Sequence, residues 1–130
     1  MPTLFTRIAN GEIPSYRIAE DDRFYAFLDI HPLREGHTLV IPRQGTDRFF
    51  DLSDDLLAGI LTFAKPIAQA IESAFPCNRC GIAVVGLEVP HAHVHLVPID
   101  SADDLNFNRP KLRLTDAEFL ACRERILHYL

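Results

Sequence analysis

At 130 residues the chain has the size of one domain and can bury a substantial core. With 48% hydrophobic and 24% charged residues it is no disordered polyelectrolyte, and 13 Lys and Arg against 18 Asp and Glu (net −5) disfavour nonspecific binding to a nucleic-acid backbone. No run approaches the roughly 20 apolar residues of a membrane span, and no charged-then-apolar leader is visible. A cytoplasmic location is expected, with neither membrane nor nucleic acid as partner.

Leu4, Phe5 and Ile8 have helical spacing and stop at Asn10-Gly11, which predicts a short, glycine-terminated helix. Residues 17–20 read as a strand, Glu20-Asp21-Asp22 as a turn, and residues 24–29 as the returning strand of a hairpin. A loop punctuated by Pro32 and Gly36 leads to a third strand over residues 37–42. Residues 53–75 carry the longest helical signal, with Ser53 as cap and Asp54 and Asp55 in the first turn. Its apolar face runs through Leu56, Leu57, Ile60, Leu61, Ala64, Ile67, Ala68 and Ile71, and Pro66 predicts a kink or break near Phe63. A fourth strand is expected over 81–86 and a fifth over 91–98, started by Pro90. The polar stretch 101–110 is a long loop of the kind that is often functional or mobile, and Thr115 and Glu118 form a capping box that opens a last helix containing Phe119, Leu120, Ile126 and Leu127. These elements predict an α+β domain with a five-stranded, mostly antiparallel sheet and at least two helices.

Cys77, Cys80 and Cys122 are odd in number, which argues against a disulfide framework. The Cys77-Asn78-Arg79-Cys80 spacing suits zinc or redox chemistry, but no second pair accompanies it, and ordinary thiols are expected.

The most unusual stretch is His91-Ala92-His93-Val94-His95-Leu96-Val97-Pro98. On a strand, alternate side chains share a face, so three imidazoles would stand in a row, roughly 6.5–7 Å apart. Buried without partners, each would cost on the order of 1–3 kcal/mol. Hydrogen bonds to backbone and water, a metal site, or nucleophilic catalysis at phosphorus could each account for the row. A single ion would not collect all three, because the outer pair would be roughly 13 Å apart on a regular strand. Catalysis fits best, with the central ring attacking and its neighbours orienting it and stabilising phosphate charge. Asp29, at a predicted strand end, could accept two hydrogen bonds from a ribose diol or cap the following loop.

From His91 to Val97 the run matches the His-φ-His-φ-His-φ-φ pattern (φ apolar) of the histidine-triad (HIT) superfamily, which this chain resembles. The segments Phe5-Thr6-Arg7-Ile8-Ala9-Asn10-Gly11-Glu12-Ile13-Pro14, Glu20-Asp21-Asp22, Ala26-Phe27-Leu28-Asp29-Ile30 and Gly36-His37-Thr38-Leu39-Val40-Ile41-Pro42 resemble the Hint-like branch in order and spacing. The likeness spans residues 3–100, leaving 101–130 as a carboxy-terminal loop and helix of a single domain, 1–130. It implies a HIT-like fold, a homodimer joining two sheets, and a purine nucleotide or nucleoside phosphoramidate as substrate. It also implies that no metal or other cofactor is required.

By the same resemblance, His93 attacks the α-phosphorus, His95 contacts phosphate oxygens and His91 supports the loop around the site. Asp29 holds the ribose, and the base and nucleotide are walled by Leu4, Phe5, Ile8, Phe27, Leu28, Ile30, Leu39 and Glu88. His37 matches a family position and is equally consistent with a structural role. The amino-terminal cysteines that bind zinc in some members are absent from Pro2-Thr3-Leu4-Phe5. The chain departs from the pattern at Val84-Val85-Gly86-Leu87-Glu88: the loop is shorter, the usual Asn is missing, and Leu87 replaces the usual Gln. A purine-nucleotide phosphoramidase or related hydrolase is the first expectation. A nucleotide-binding or interaction module with little catalysis is the second, and a metal-binding strand the third.

Overall fold

A computed structural model describes residues 2–130. The order is α1 (Leu4–Ala9), β1 (Arg17–Glu20), β2 (Phe24–Leu28), β3 (Thr38–Pro42), α2 (Asp54–Ala74), β4 (Arg79–Ala83), β5 (Val94–Ile99) and α3 (Asp116–Leu127), with single 3-10 turns at Phe49–Asp51 and Ala102–Leu105. One antiparallel sheet runs β1-β2-β3-β5-β4. This is the expected α+β architecture. Among the described residues, no helix is long and apolar enough to cross a membrane.

Strand alternation divides the protein into two apolar layers. Phe24, Ala26, Leu28, Val40, Val94 and Leu96 face a core completed by Ile60, Ala64, Ile67 and Ile71 of α2 and by Phe119 and Ile126 of α3. Their neighbours Tyr25, Phe27, Leu39 and Ile41 face the other way, against Phe5, Ile8 and Ala9 of α1. Because both faces are covered, β2 and β3 are buried along their whole length. Register then fixes the functional face: Phe27 pairs with Leu39, Leu39 with His95, and His95 with Ala83. Asp29 and His37 have the same parity just beyond their strands.

Local chemistry sets the ends. Thr3 Oγ1 accepts from Thr6 N at 3.0 Å and caps α1, while Gly11 takes φ 81° just past its end. Asp21 Oδ1 accepts from the amides of Arg23 and Phe24 and forms the β1–β2 turn. Ser53 and Thr115 cap α2 and α3, Thr115 with the expected capping box.

Several boundaries differ from the sequence reading. Strand β2 ends at Leu28 and β3 starts at Thr38, one residue inside each prediction. The strand predicted over 81–86 runs instead over Arg79–Ala83, because β5 pairs with it only as far as His95↔Ala83; Val84, Val85 and Gly86 leave the sheet. The predicted break at Pro66 does not occur: α2 is continuous from Asp54 to Ala74. Pro66 and Thr62, whose carbonyl loses its helical partner, are both exposed, so water can satisfy the freed group. On the same helix Leu61 is 52% exposed, because the buried stripe runs through Ile60, Ala64, Ile67 and Ile71 and leaves it to the side. On α3 the predicted apolar pair is also split: Leu120 is exposed, and Cys122 is buried beside Phe119 and Ile126.

Gly36 delivers His37 into the site with φ +95°, and a Cβ there would lie 2.6 Å from the Phe75 ring. Gly36→Ala combines the left-handed backbone with a steric clash, and a stability loss of about 2 kcal/mol is expected from denaturant titration.

Candidate functional site

A cavity of about 390 Å³ opens on the α1 side of the sheet. Its size suits a nucleotide-sized ligand. Leu4, Phe5, Ile8, Phe27 and Leu39 supply apolar wall, and Leu28, Asp29, Ile30 and Glu88 also line it. Two of the three triad histidines, His93 and His95, reach this cavity; His91 does not and is fully buried. The row on one strand face is therefore corrected: β5 begins at Val94, so only His95 belongs to the ladder. The β3–β5 pairing stops at Val40↔Val94, and the next free carbonyl, Pro42 O, is taken by the His91 ring instead of by a backbone N–H.

Hydrogen-bond polarity fixes the proton on every ring. A carbonyl can only accept, so the 2.7 Å contact between His91 Nε2 and Pro42 O places a proton on that nitrogen and leaves His91 Nδ1 an acceptor. The 2.7 Å contact between His93 Nδ1 and His91 O likewise makes His93 Nδ1 the donor and leaves a lone pair on Nε2. Leu33 N donates to His37 Nδ1 at 2.9 Å, so His37 carries its proton on Nε2 and donates it to His95 Nδ1 at 2.9 Å. His95 is then the Nε2–H tautomer. Among the described residues neither His93 Nε2 nor His95 Nε2 has a hydrogen-bond partner, and no buried side-chain nitrogen or oxygen lacks one, so both nitrogens are open to the cavity. The ring centroids of His93 and His95 are 4.9 Å apart. A nucleophilic lone pair and an N–H donor thus stand side by side.

Burial reinforces these neutral states. It pushes His37 down to about 3, with His95, Lys111 and His93 adding to the effect, and His95 down to about 4, helped by the nearby His93. Burial lowers His91 as well, against the bond to Pro42. It raises the Asp29 carboxyl, opposed by the backbone bond from His31. Asp29 Oδ1 accepts that bond at 2.8 Å, so it does cap the following loop, and Oδ2 lies 3.5 Å from His37 Nε2. With His37 neutral, this contact is no ion pair.

Asp29, His37 and His95 lie close enough together to suggest a metal site. The proton positions oppose it: His37 presents Nε2–H, and a metal there would require loss of the Leu33 bond or an imidazolate. Among the described residues no third ligand clusters with Cys77 and Cys80, and both thiols are held above their usual range by burial and Glu72.

Sequence reasoning flagged the loop over residues 101–110 as of a kind often functional or mobile but named no site residue in it or after it. Phe107, Asn108 and Lys111 line the cavity, and the Phe107 ring sits 4.6 Å from His95. Lys111 is the one Lys or Arg among the lining residues; its ammonium donates to the carbonyls of Phe107 and Arg109. The signal was faint: one Phe and one Lys in a polar tract. What orders the tract is Asp104, which accepts from the amides of Asp100 and Ser101 and pairs with Arg34 and Arg109.

The chain matches the HIT domain family over residues 10–102. It is a member of the HIT family. Among curated relatives it is 36% identical to an uncharacterized HIT-like protein of Borreliella burgdorferi, over 89% of each chain. It is 33% identical to the adenosine 5′-monophosphoramidase of Schizosaccharomyces pombe, covering 97% of this chain and 96% of that protein. The crystal structure of a Hit-like protein from Bartonella henselae superposes with a TM-score of 0.84 at 27% identity, covering 98% and 96% of the two chains.

The neutral histidines make this HIT domain acid-sensitive. Below the unfolded-state value near 6.5, the unfolded chain binds protons that folded His37 and His95 refuse until about pH 3 and 4. Stability therefore falls as pH drops, by about 1.4 kcal/mol per pH unit for each such histidine. Thermal melts between pH 7 and 5 should show this decline, and it should be shallower in His37→Gln, which removes one of the two groups.

Proposed function

We propose that this protein is a nucleotidyl hydrolase that cleaves a phosphoramidate or phosphoanhydride bond at the α-phosphate of a purine nucleoside 5′-phosphate derivative, through a nucleotidyl-histidine. The observation that carries the reading is His93: one ring nitrogen donates to a fixed carbonyl and the other presents a lone pair to the cavity. The relative named as an adenosine 5′-monophosphoramidase supports the same chemistry.

In this reading the base lies against Leu4, Phe5, Ile8, Phe27 and Leu39, and the ribose diol binds Asp29. His93 Nε2 attacks phosphorus. The bond to the leaving group breaks with its electron pair going to nitrogen or oxygen, which takes a proton from solvent as it departs. His95 Nε2–H hydrogen-bonds to the phosphate oxygens as charge shifts onto them. The His91 carbonyl continues to hold His93 Nδ1–H while the ring is a nucleotidyl-imidazolium. Water then attacks phosphorus and releases a proton to solvent, the P–N bond returns its pair to Nε2, and the nucleoside monophosphate leaves.

One observation favours a second reading, a nucleotide-binding module with little catalysis. The Val84–Glu88 loop puts a carboxylate on the cavity wall and leaves Leu87 88% exposed where the family pattern has polar groups. His93→Ala separates the two. In a hydrolase it abolishes turnover of an adenosine 5′-phosphoramidate, by at least about a thousandfold if the ring is the nucleophile, while calorimetry still detects nucleotide binding. The wild type, quenched during turnover, should then carry a histidine-linked nucleotide by mass spectrometry. Tight binding with no turnover by the wild type would identify the module.

A homodimer is the assembly the family resemblance implies. The outer edge of β4 is unpaired, Ile82 on it is 51% exposed, and α2, which also exposes Leu61, packs against β4. Light scattering should give twice the chain mass, and Ile82→Arg should shift the protein to monomer.

A further inference from the structure

We infer that Thr3 is a positioning residue for His93, acting through His91. The inference rests on the hydrolase reading for its kinetic effect but not for its geometry. His91 is 0% exposed and does not line the cavity, yet its carbonyl is the group that holds His93 Nδ1–H. Holding that carbonyl requires the His91 ring to stay in place. Its Nε2–H is committed to Pro42 O, so Nδ1 must accept, and the donor at 2.7 Å is the Thr3 hydroxyl. The Thr6 hydroxyl lies farther from the same nitrogen, at 3.4 Å.

The Thr3 oxygen is fully used. Its proton goes to His91, and its lone pairs accept the Thr6 amide at 3.0 Å and the Thr6 hydroxyl at 3.0 Å. This gives a directional chain: Thr6 O–H to Thr3 O–H to His91 Nδ1, His91 Nε2–H to Pro42 O, and His93 Nδ1–H to His91 O. Without the Thr3 proton, the Thr6 hydroxyl at 3.4 Å is the one donor left near His91 Nδ1, and a bond that long recovers only part of the roughly 1–3 kcal/mol a buried unpaired acceptor costs, unless the ring turns or takes a second proton. A turned ring moves the carbonyl that aims the nucleophile, and a second proton puts a positive charge beside the His93 ring.

Thr3 also couples this relay to the cavity wall. As the cap of α1 it fixes the helix that carries Phe5, whose ring lies edge-on at 5.1 Å from His93 and 5.8 Å from His91. One hydroxyl therefore ties the apolar wall to the backbone behind the nucleophile.

Three substitutions in the full chain separate capping from positioning. Thr3→Ser keeps both the cap and the donor. Thr3→Asp keeps the cap, but its carboxylate has no proton for His91 Nδ1. Thr3→Val loses both. The expected result is that T3S turns over like the wild type, that T3D, which keeps the cap, loses kcat by roughly ten- to a hundredfold with little change in nucleotide affinity, and that T3V loses kcat at least as far and weakens nucleotide affinity as well. Ring nitrogen-15 shifts, read without substrate, should show His91 Nδ1 as a hydrogen-bonded acceptor in the wild type and T3S, and changed in T3D and T3V. If T3D matches the wild type in both kcat and nitrogen shifts, Thr3 only caps α1 and the inference is overturned. If the wild type itself proves inactive, the hydrolase reading fails, and the nitrogen shifts alone then decide the role of Thr3.

Discussion

A carbonyl oxygen accepts hydrogen bonds and a backbone amide donates them, and three such groups decide the state of all four clustered imidazoles. Pro42 O sets His91, His91 O sets His93, and the Leu33 amide sets His37 and, through it, His95. None of these backbone groups can change role with pH. The consequence is that His93 and His95 are opposite tautomers: one turns a lone pair to the cavity and the other an N–H. Sequence alone gives identical residues two positions apart. The backbone behind them leaves one with an open lone pair and makes the other a donor.

The fold supplies that backbone by burying the sheet on both faces. Even positions of β2, β3 and β5 face the α2–α3 core, and odd positions face α1 and the cavity. Polar groups on the odd face are thus enclosed in protein, and each would be destabilising if left unpaired. Among the described residues no buried side-chain nitrogen or oxygen is without a partner. The same enclosure lowers the pKa values of His37, His91 and His95, so at those rings burial and tautomer choice reinforce each other. A proton added to His95 Nδ1 would point at the proton of His37 Nε2, which is a further reason for the pair to stay neutral.

Much of this was legible in the chain. The two-residue spacing of His91, His93 and His95, the caps at Ser53 and Thr115, and the apolar pattern of the strands are local signals, and local signals survive folding. The eight residues read as walls of a nucleotide cleft line one cavity, and Asp29 lines it with them. What was illegible depended on partners far away in sequence. Whether His91 sits in the ladder is decided by Pro42, 49 residues earlier. Whether Pro66 breaks α2 depends on which side of the helix faces water. Nothing in the sequence singled out Thr3, because its partner on the nucleophile's support lies 88 residues on. The Phe107–Lys111 segment has no periodicity; its Arg109 pairs with Asp104, which is itself held by Arg34, 70 residues earlier in the chain.

Charge balance in the cavity also bears on which phosphoryl group it suits. With His37 and His95 held neutral near pH 7, the site offers a phosphate N–H dipoles and a single ammonium, Lys111, opposed by the carboxylates of Asp29 and Glu88. Such a site is poorly matched to a dianion, whose second charge would meet no fixed cation. It is better matched to a monoanion, which is the state of an α-phosphoryl group substituted by an amine or a second phosphate. In the proposed reaction, attack on that group by an imidazole creates positive charge on the ring as the P–N bond forms, inside a cavity lined by two carboxyl groups. Hydrolysis by that route would yield a dianionic monophosphate in surroundings arranged for one charge fewer. The neutrality enforced by burial would therefore serve both ends of the reaction, by admitting the substituted phosphoryl group and by weakening the hold on the product.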